Sequence, residues 1–212
     1  MSVVRHEPYQ SGAANDLYHL LFCDEPALFG ARAGQTPTAW QEALFAEPPD
    51  SAALLALAND PSQEGRVRYL AFSRLRATGA SVAAKGLSGV IVEVPLDGGL
   101  DTLAAFSEGG VRYLNHTGKA SVFEGVDALK PFVDRLFAAS EPVVARIGPW
   151  EQPRRPPPAH GNIRLTFLVS DGLYFGEGPM IVMQRDPMAG PIIQRATELL
   201  QTIVPLATGR AD

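Results

Sequence analysis

The sequence has a single cysteine, Cys23, so it can form no intrachain disulfide and cannot by itself supply the thiolates of a structural zinc site. Because Cys23 lies in the apolar segment LYHLLFCDEPALF, we expect it to be a small buried hydrophobic residue rather than a nucleophile. His6, His19 and His160 have no acidic or cysteine companions at ligand spacing, so we predict no metal and no other cofactor. One cysteine without a partner is typical of a reducing compartment, and we expect a cytoplasmic location.

Long apolar runs and an excess of positive charge are also lacking. The N-terminus has no run of about seven apolar residues, as a signal peptide requires, and no later window approaches the roughly 18 of a membrane helix. The net charge of −5 gives no general attraction to nucleic acid or to an anionic membrane. We therefore expect neither a nucleic acid nor a membrane as partner.

Familiar catalytic and nucleotide-binding motifs are absent as well. The sequence has no Gly-x-Ser-x-Gly elbow, no His-Glu-x-x-His helix and no nucleic-acid-binding motif. The segment RYLNHTGKAS, Arg112 to Ser121, shares only a Gly-Lys pair with the P-loop, because Tyr113 replaces its first glycine and Ala120 its hydroxyl residue. The GEGP segment at 176–179 lacks the third glycine and the following helix of a dinucleotide site. We assign no catalytic residue.

What the sequence does contain is a hydrophobic period of two between Ser88 and Glu124. In SGVIVEVPL, Val90, Val92 and Val94 fall on one face of an extended chain. Three glycine-bearing turns then separate short strands, a pattern that predicts an antiparallel meander sheltered on one face. The alternation returns in NIRLTFLV, and its turn signal SDG predicts a second hairpin, with a third strand from Met180 to Gln184.

Amphipathic helices are predicted on both sides of the meander. Asp50 and the Asp60-Pro61 pair are start signals for two helices in the first third of the chain, the second of which ends at Gly79. Apolar stripes at helical spacing follow in VDALKPFVDRLFAA and, after Asp186-Pro187, in the C-terminal segment; PVVARIG is predicted as a short strand. The helix predicted between Asp60 and Gly79 carries four arginines, Arg66, Arg68, Arg74 and Arg76. We interpret them as a solvated helix face, and the alternative is a docking surface for an acidic partner.

These elements predict an α+β fold, in which an antiparallel sheet formed by the meander and the second hairpin packs against amphipathic helices. Residues 1–60 are predicted to be a helical or irregular N-terminal segment, and residues 61–212 an α+β domain with a Pro-rich connector at about 146–162. The order of elements between Asp60 and Pro205 resembles the profilin or roadblock type of sandwich, which implies a scaffold or a dimerisation module. The resemblance is one of architecture and assigns no residue a role.

Two functions fit this description. The first is a non-enzymatic binding or assembly module that forms a homo-oligomer or binds a protein partner, since such sheets leave exposed strand edges. The second is a small-molecule-binding protein, or an enzyme of unknown class, that uses the Asn115-His116-Lys119 turn. Its candidate ligand-binding residues are Arg112, Asn115, His116, Lys119, Arg185 and Asp186. This second function requires them to converge on a cavity, whereas the simpler interpretation is a polar turn in which Gly118 takes a positive φ.

Overall fold

The computed structural model describes residues 5–82 and 85–207, which fold into a sheet with helices on both faces. The α-helices are α1 (Gly12–Phe22), α2 (Ala39–Phe45), α3 (Ser51–Asn59), α4 (Gly65–Ala77), α5 (Lys130–Arg146), α6 (Met180–Met183) and α7 (Ala189–Ala207). The strands are β1 (Leu87–Leu96), β2 (Gly99–Phe106), β3 (Val111–Leu114), β4 (Ala120–Phe123), β5 (Asn162–Val169) and β6 (Gly172–Pro179). All neighbours in the order β4-β3-β2-β1-β5-β6 are antiparallel. The predicted α+β fold is confirmed, and the second hairpin joins the meander through the β1–β5 pair.

Both faces of the sheet are buried, although the sequence predicted shelter for only one. Val90 and Val92 of β1 lie in a core formed with α5 and α7, as their alternation indicates. Ile91 lies on the opposite face, in a core formed with α1, α3 and α4. The second face is covered because the N-terminal helices pack directly on the sheet: Tyr18, Phe22 and Leu54 are fully buried in the same core as Ile91.

Three local predictions were wrong. The PVVARIG segment continues α5 rather than forming a strand, because Val144 extends the buried stripe of Leu136 and Ser140 by one more helical turn. The segment after β6 is the short helix α6 instead of a third strand. The helix predicted from Asp60 begins only at Gly65, since the Asp60 carboxylate accepts the Ser62 N–H and hydroxyl and closes a separate turn.

The prediction that Asp50 caps a helix was confirmed. Asp50 accepts hydrogen bonds from the backbone N–H groups of Ala52 and Ala53 in the first turn of α3. Cys23 is buried, as expected, and burial raises the pKa of its thiol. In the described part of the chain, no helix combines the length and the apolar composition needed to cross a bilayer.

A buried ionic network holds the Pro-rich connector against α1 and the sheet. The guanidinium of Arg154, in the connector, donates to Asp24 Oδ2 at 2.7 Å and to the Tyr18 hydroxyl at 3.2 Å. Tyr18 in turn donates to Glu93 Oε1 at 2.6 Å, and Arg164 Nη1 lies 3.6 Å from Glu93 Oε2. The sheet face toward α1 therefore contains a carboxylate that needs its cationic neighbours, because isolated buried charge is strongly unfavourable.

Candidate functional site: a cavity beneath α7

A cavity of about 150 Å³ lies between α7 and the sheet. Its walls are mainly aliphatic side chains of β1, β2, β5 and α7: Val92, Val94, Leu103, Ile163, Ile193 and Leu200. Strand register brings the β1 and β2 residues together, since Val92 pairs with Leu103. Space remains because α7 presents the small side chain of Ala196 to the sheet at this point.

One end of the cavity is polar and rich in hydrogen-bond acceptors. Asp101, at the start of β2, and Tyr113, on β3, line it together. The Tyr113 hydroxyl donates to Asp101 Oδ2 at 2.8 Å, and the His116 backbone N–H donates to Asp101 Oδ1 at 2.7 Å. Burial and then this bond to Asp101 raise the pKa of Tyr113 above its usual value, so the hydroxyl keeps its proton and directs it to the carboxylate. The remaining lone pairs of both groups can only accept hydrogen bonds.

The turn that follows β3 holds Asp101 in place. A Cβ at Gly99 would lie 2.0 Å from the His116 carbonyl oxygen, so glycine is what lets the turn approach the start of β2. The turn is closed internally, because Asn115 Oδ1 accepts the backbone N–H groups of Thr117 and Lys119 at 3.0 Å each. Gly118 has φ +81°, which confirms the predicted polar turn.

The candidate residues of the turn differ in how close they come to the cavity. His116 is the nearest: its Nδ1 lies 3.4 Å from Asp101 Oδ1, while the ring is partly exposed and stands outside the cavity wall. The side-chain oxygen of Asn115 accepts hydrogen bonds within its own turn, and Lys119 is exposed. Arg112 faces the other side of the sheet, where it pairs with Glu124.

The two candidates after α6 lie near the cavity without lining it. Gln184, the residue before them, is part of the cavity wall. Arg185 is exposed. Asp186 caps the start of α7 by accepting the N–H groups of Met188 and Ala189 at 2.8 Å, and these bonds lower the pKa of its carboxyl group. It lines a second, more open pocket of about 540 Å³ along α7, which shares Gln184, Ile193 and Thr197 with the cavity.

Sequence reasoning missed the polar residues that line the cavity: Asp101, Tyr113, Gln184 and Thr197. One signal was available, because the two-residue alternation puts Asp101 on the same face of β2 as the buried residues Leu103 and Ala105. A carboxylate on a sheltered face is unusual and marks a functional candidate. The partner Tyr113 depends on the β2–β3 register, which the sequence does not state.

Comparison with known proteins adds no constraint on the site. No family model matches the sequence, and no curated protein matches it. Within residues 5–82 and 85–207, no three His, Cys, Asp or Glu side chains are grouped so that they could hold a metal ion. The geometry of the described residues therefore carries the functional argument.

Proposed function

We propose that the protein is a non-enzymatic binding module that holds a small organic ammonium ion in the cavity beneath α7. The observation that supports this proposal is an aliphatic cavity of about 150 Å³ with the carboxylate of Asp101 at one end. An apolar cavity of roughly this size accommodates a body like benzene. Since the Asp101–Tyr113 pair offers only acceptors, it favours a ligand whose polar end is a cation or a hydrogen-bond donor.

The same geometry favours binding over catalysis. Asp101 is already engaged by two donors, and Tyr113 retains its proton, so neither is prepared to accept a proton from a ligand. The His116 imidazole stands outside the cavity wall, away from a bound apolar body. A cavity that orients an ammonium group and packs aliphatic side chains against its hydrocarbon is sufficient for recognition.

Benzylamine is the probe that tests this proposal, with benzyl alcohol and benzoate as uncharged and anionic comparators. In methyl-labelled protein, we expect saturable NMR shifts of the Ile163, Ile193 and Leu200 methyl groups with benzylamine. Benzyl alcohol should bind at least about tenfold more weakly, because a charged hydrogen bond contributes about 1.5–3 kcal/mol. Benzoate should not bind, since Asp101 repels it. Equal binding of benzoate and benzylamine, or no saturable shift with any probe, would contradict the proposal.

Two variants locate the site. Asp101→Asn keeps the shape of the side chain and should remove the preference for benzylamine over benzyl alcohol. Ala196→Leu fills the cavity and should abolish binding of both. The matched control is Ala138→Leu, the same change on the exposed face of α5, which should leave binding unchanged.

A second candidate function, self-association, is favoured by the surface of α6. Ile181 and Val182 are adjacent aliphatic residues whose side chains are 61% and 59% exposed, next to the edge strand β6. Met183 of the same helix packs against the core beneath the sheet, whereas these two neighbours are exposed. Neighbouring apolar side chains at a sheet edge are well suited to an isologous contact with a second copy.

Sedimentation equilibrium tests the self-association proposal. We expect the wild-type chain to sediment at twice its monomer mass and Ile181→Glu to sediment as a monomer, because a charge at the centre of an apolar contact is desolvated without a partner. Val122→Glu, on the opposite edge of the sheet and similarly exposed at 55%, is the control and should remain dimeric. A wild-type monomer at the highest soluble concentration would exclude this candidate.

A further inference from the structure

The four arginines of α4 do not form one charged surface. Three of them are occupied by partners on neighbouring segments: Arg66 by Glu64, Arg74 by Glu47, and Arg76 by the Ser170 carbonyl oxygen. These three guanidinium groups are therefore already bound by groups of the same molecule. This arrangement weakens the alternative of a docking surface for an acidic partner. Arg68 and Arg76 are both bound only by neutral oxygens, and of these two arginines Arg68 is the one that lines a pocket.

Arg68 is a half-buried cation bound only by neutral groups. It donates from Nε to the Ala58 carbonyl at 3.1 Å and from Nη1 to the Ser107 hydroxyl at 3.3 Å. In the described part of the chain, no carboxylate lies within ion-pair distance of its guanidinium, in contrast to Arg66 and Arg74 on the same helix. A guanidinium that is partly removed from water favours an anionic partner.

Beside Arg68 lies a pocket of about 490 Å³, bounded by α3, α4, residues 80–82, Gly86 and Ser88. This volume is within the range of about 300–1,000 Å³ that is typical of small-molecule sites. Its apolar wall includes Leu55, Phe72, Leu75 and Val82. Phe72 and Leu75 are buried, whereas Leu55 is 53% exposed and borders the opening. The pocket thus combines an apolar wall with one positively charged side chain.

We infer that this pocket binds an apolar monocarboxylate, with the carboxylate on Arg68 and the hydrocarbon against Phe72 and Leu75. One guanidinium neutralises one negative charge and matches the fork of a carboxylate, whereas a dianion would retain an unpaired charge. The pocket lies on the face of the sheet that carries α3 and α4, opposite to the cavity beneath α7. The inference is therefore independent of the proposed ammonium site.

Calorimetric titration of the full chain with octanoate tests the inference, with octan-1-ol and octylamine as comparators of the same length. Octanoate should bind most tightly, at least about tenfold better than octan-1-ol, because of the charged hydrogen bonds to Arg68. Arg68→Gln should remove this advantage, and Arg68→Lys should retain part of it, since lysine keeps the charge but loses the fork. Octanoate that binds no better than octan-1-ol to the wild-type chain would overturn the inference.

Two controls assign the binding to this pocket. Arg76→Gln removes a charge from the same helix, outside the pocket, and should leave the octanoate affinity unchanged. Ala196→Leu, which fills the cavity beneath α7, should also leave it unchanged, so the two sites succeed or fail separately. If Arg68→Gln does not fold, Arg68→Lys and the wild-type comparison of octanoate with octan-1-ol still decide the outcome. Octanoate affinity that Arg68→Lys leaves at the wild-type value would assign the binding elsewhere.

Discussion

Replacement of Arg164 by methionine is expected to lower the free energy of unfolding by about 3–5 kcal/mol, because it leaves a buried carboxylate without its cation. Glu93 is fully buried, and Arg164, itself 3% exposed, is the arginine that lies directly against it on the neighbouring strand. Arg164 also donates to the Pro156 carbonyl at 2.5 Å and to Glu177 Oε2 at 2.7 Å. The substitution therefore removes the charge that balances Glu93 and a contact that holds the connector.

Urea unfolding of matched variants measures this effect. Arg155→Met is the control, since Arg155 is half exposed and lies 3.8 Å from the same Glu177; we expect a loss below about 1 kcal/mol. The double variant Arg164→Met with Glu93→Gln should recover part of the stability, because the fully buried side chain at position 93 then carries no charge. A loss no greater than that of Arg155→Met would show that Arg164 does not balance Glu93.

The loss should also depend on pH in a definite direction. Burial raises the pKa of Glu93 above its ordinary value of 4.5, and removing Arg164 removes an interaction that opposes this rise. A raised pKa in the folded state means that the stability contribution of Glu93 is complete below pH 4.5 and is lost as the pH rises through the raised pKa. The penalty of Arg164→Met relative to wild type should therefore be smallest in acid and increase toward neutral pH.

Replacement of Gly65 by alanine is expected to cost about 3 kcal/mol, near the upper end of overpacking effects. Gly65 is the first residue of α4, and a Cβ there would lie 2.2 Å from the backbone carbonyl oxygen of Ser88 on β1. Backbone on a central strand cannot give way as a flexible side chain can. The added methyl group must therefore push α4 away from the sheet, which also weakens the bond from the Gly65 N–H to Glu108 Oε2.

Gly12→Ala is the matched control for this substitution. Gly12 is also the first residue of its helix, α1, and a Cβ added there would meet no atom within 4 Å. Alanine there should change the free energy of unfolding by less than about 1 kcal/mol and can be stabilising. Similar losses for the two variants in urea unfolding would mean that the close approach of α4 to Ser88 does not limit the packing.

Local patterns in the sequence predicted the elements that depend on local geometry. Val90 and Val92 share a face because successive side chains of a strand alternate, whatever the rest of the chain does. Asp50 caps α3 because its carboxylate reaches N–H groups only two and three residues ahead. The prediction failed at Asp60, because an Asp-Pro pair is compatible with either a helix start or a separate turn. Asp60 closes a turn with Ser62 instead of starting a helix.

At the candidate site, too, the sequence predicted local geometry but not contacts between distant segments. The polar turn with Gly118 at positive φ follows from residues adjacent in sequence, and this part of the prediction for RYLNHTGKAS was confirmed. The pairing of Asp101 with Tyr113 needs the register of β2 and β3, and the cavity needs α7, which lies almost a hundred residues away in the chain. No pattern of spacing specifies a contact over that separation.

The sequence alone determined that this chain forms an antiparallel meander, a second hairpin and amphipathic helices, because strand alternation, helical periodicity and turn chemistry act over a few residues. Only the tertiary structure decided that the N-terminal helices cover the second face of the sheet, that Glu93 is buried beside Arg164, and that space remains beneath α7 and beside Arg68. The physical reason is that burial and cavities depend on how segments distant in the sequence pack against one another, which local patterns do not specify.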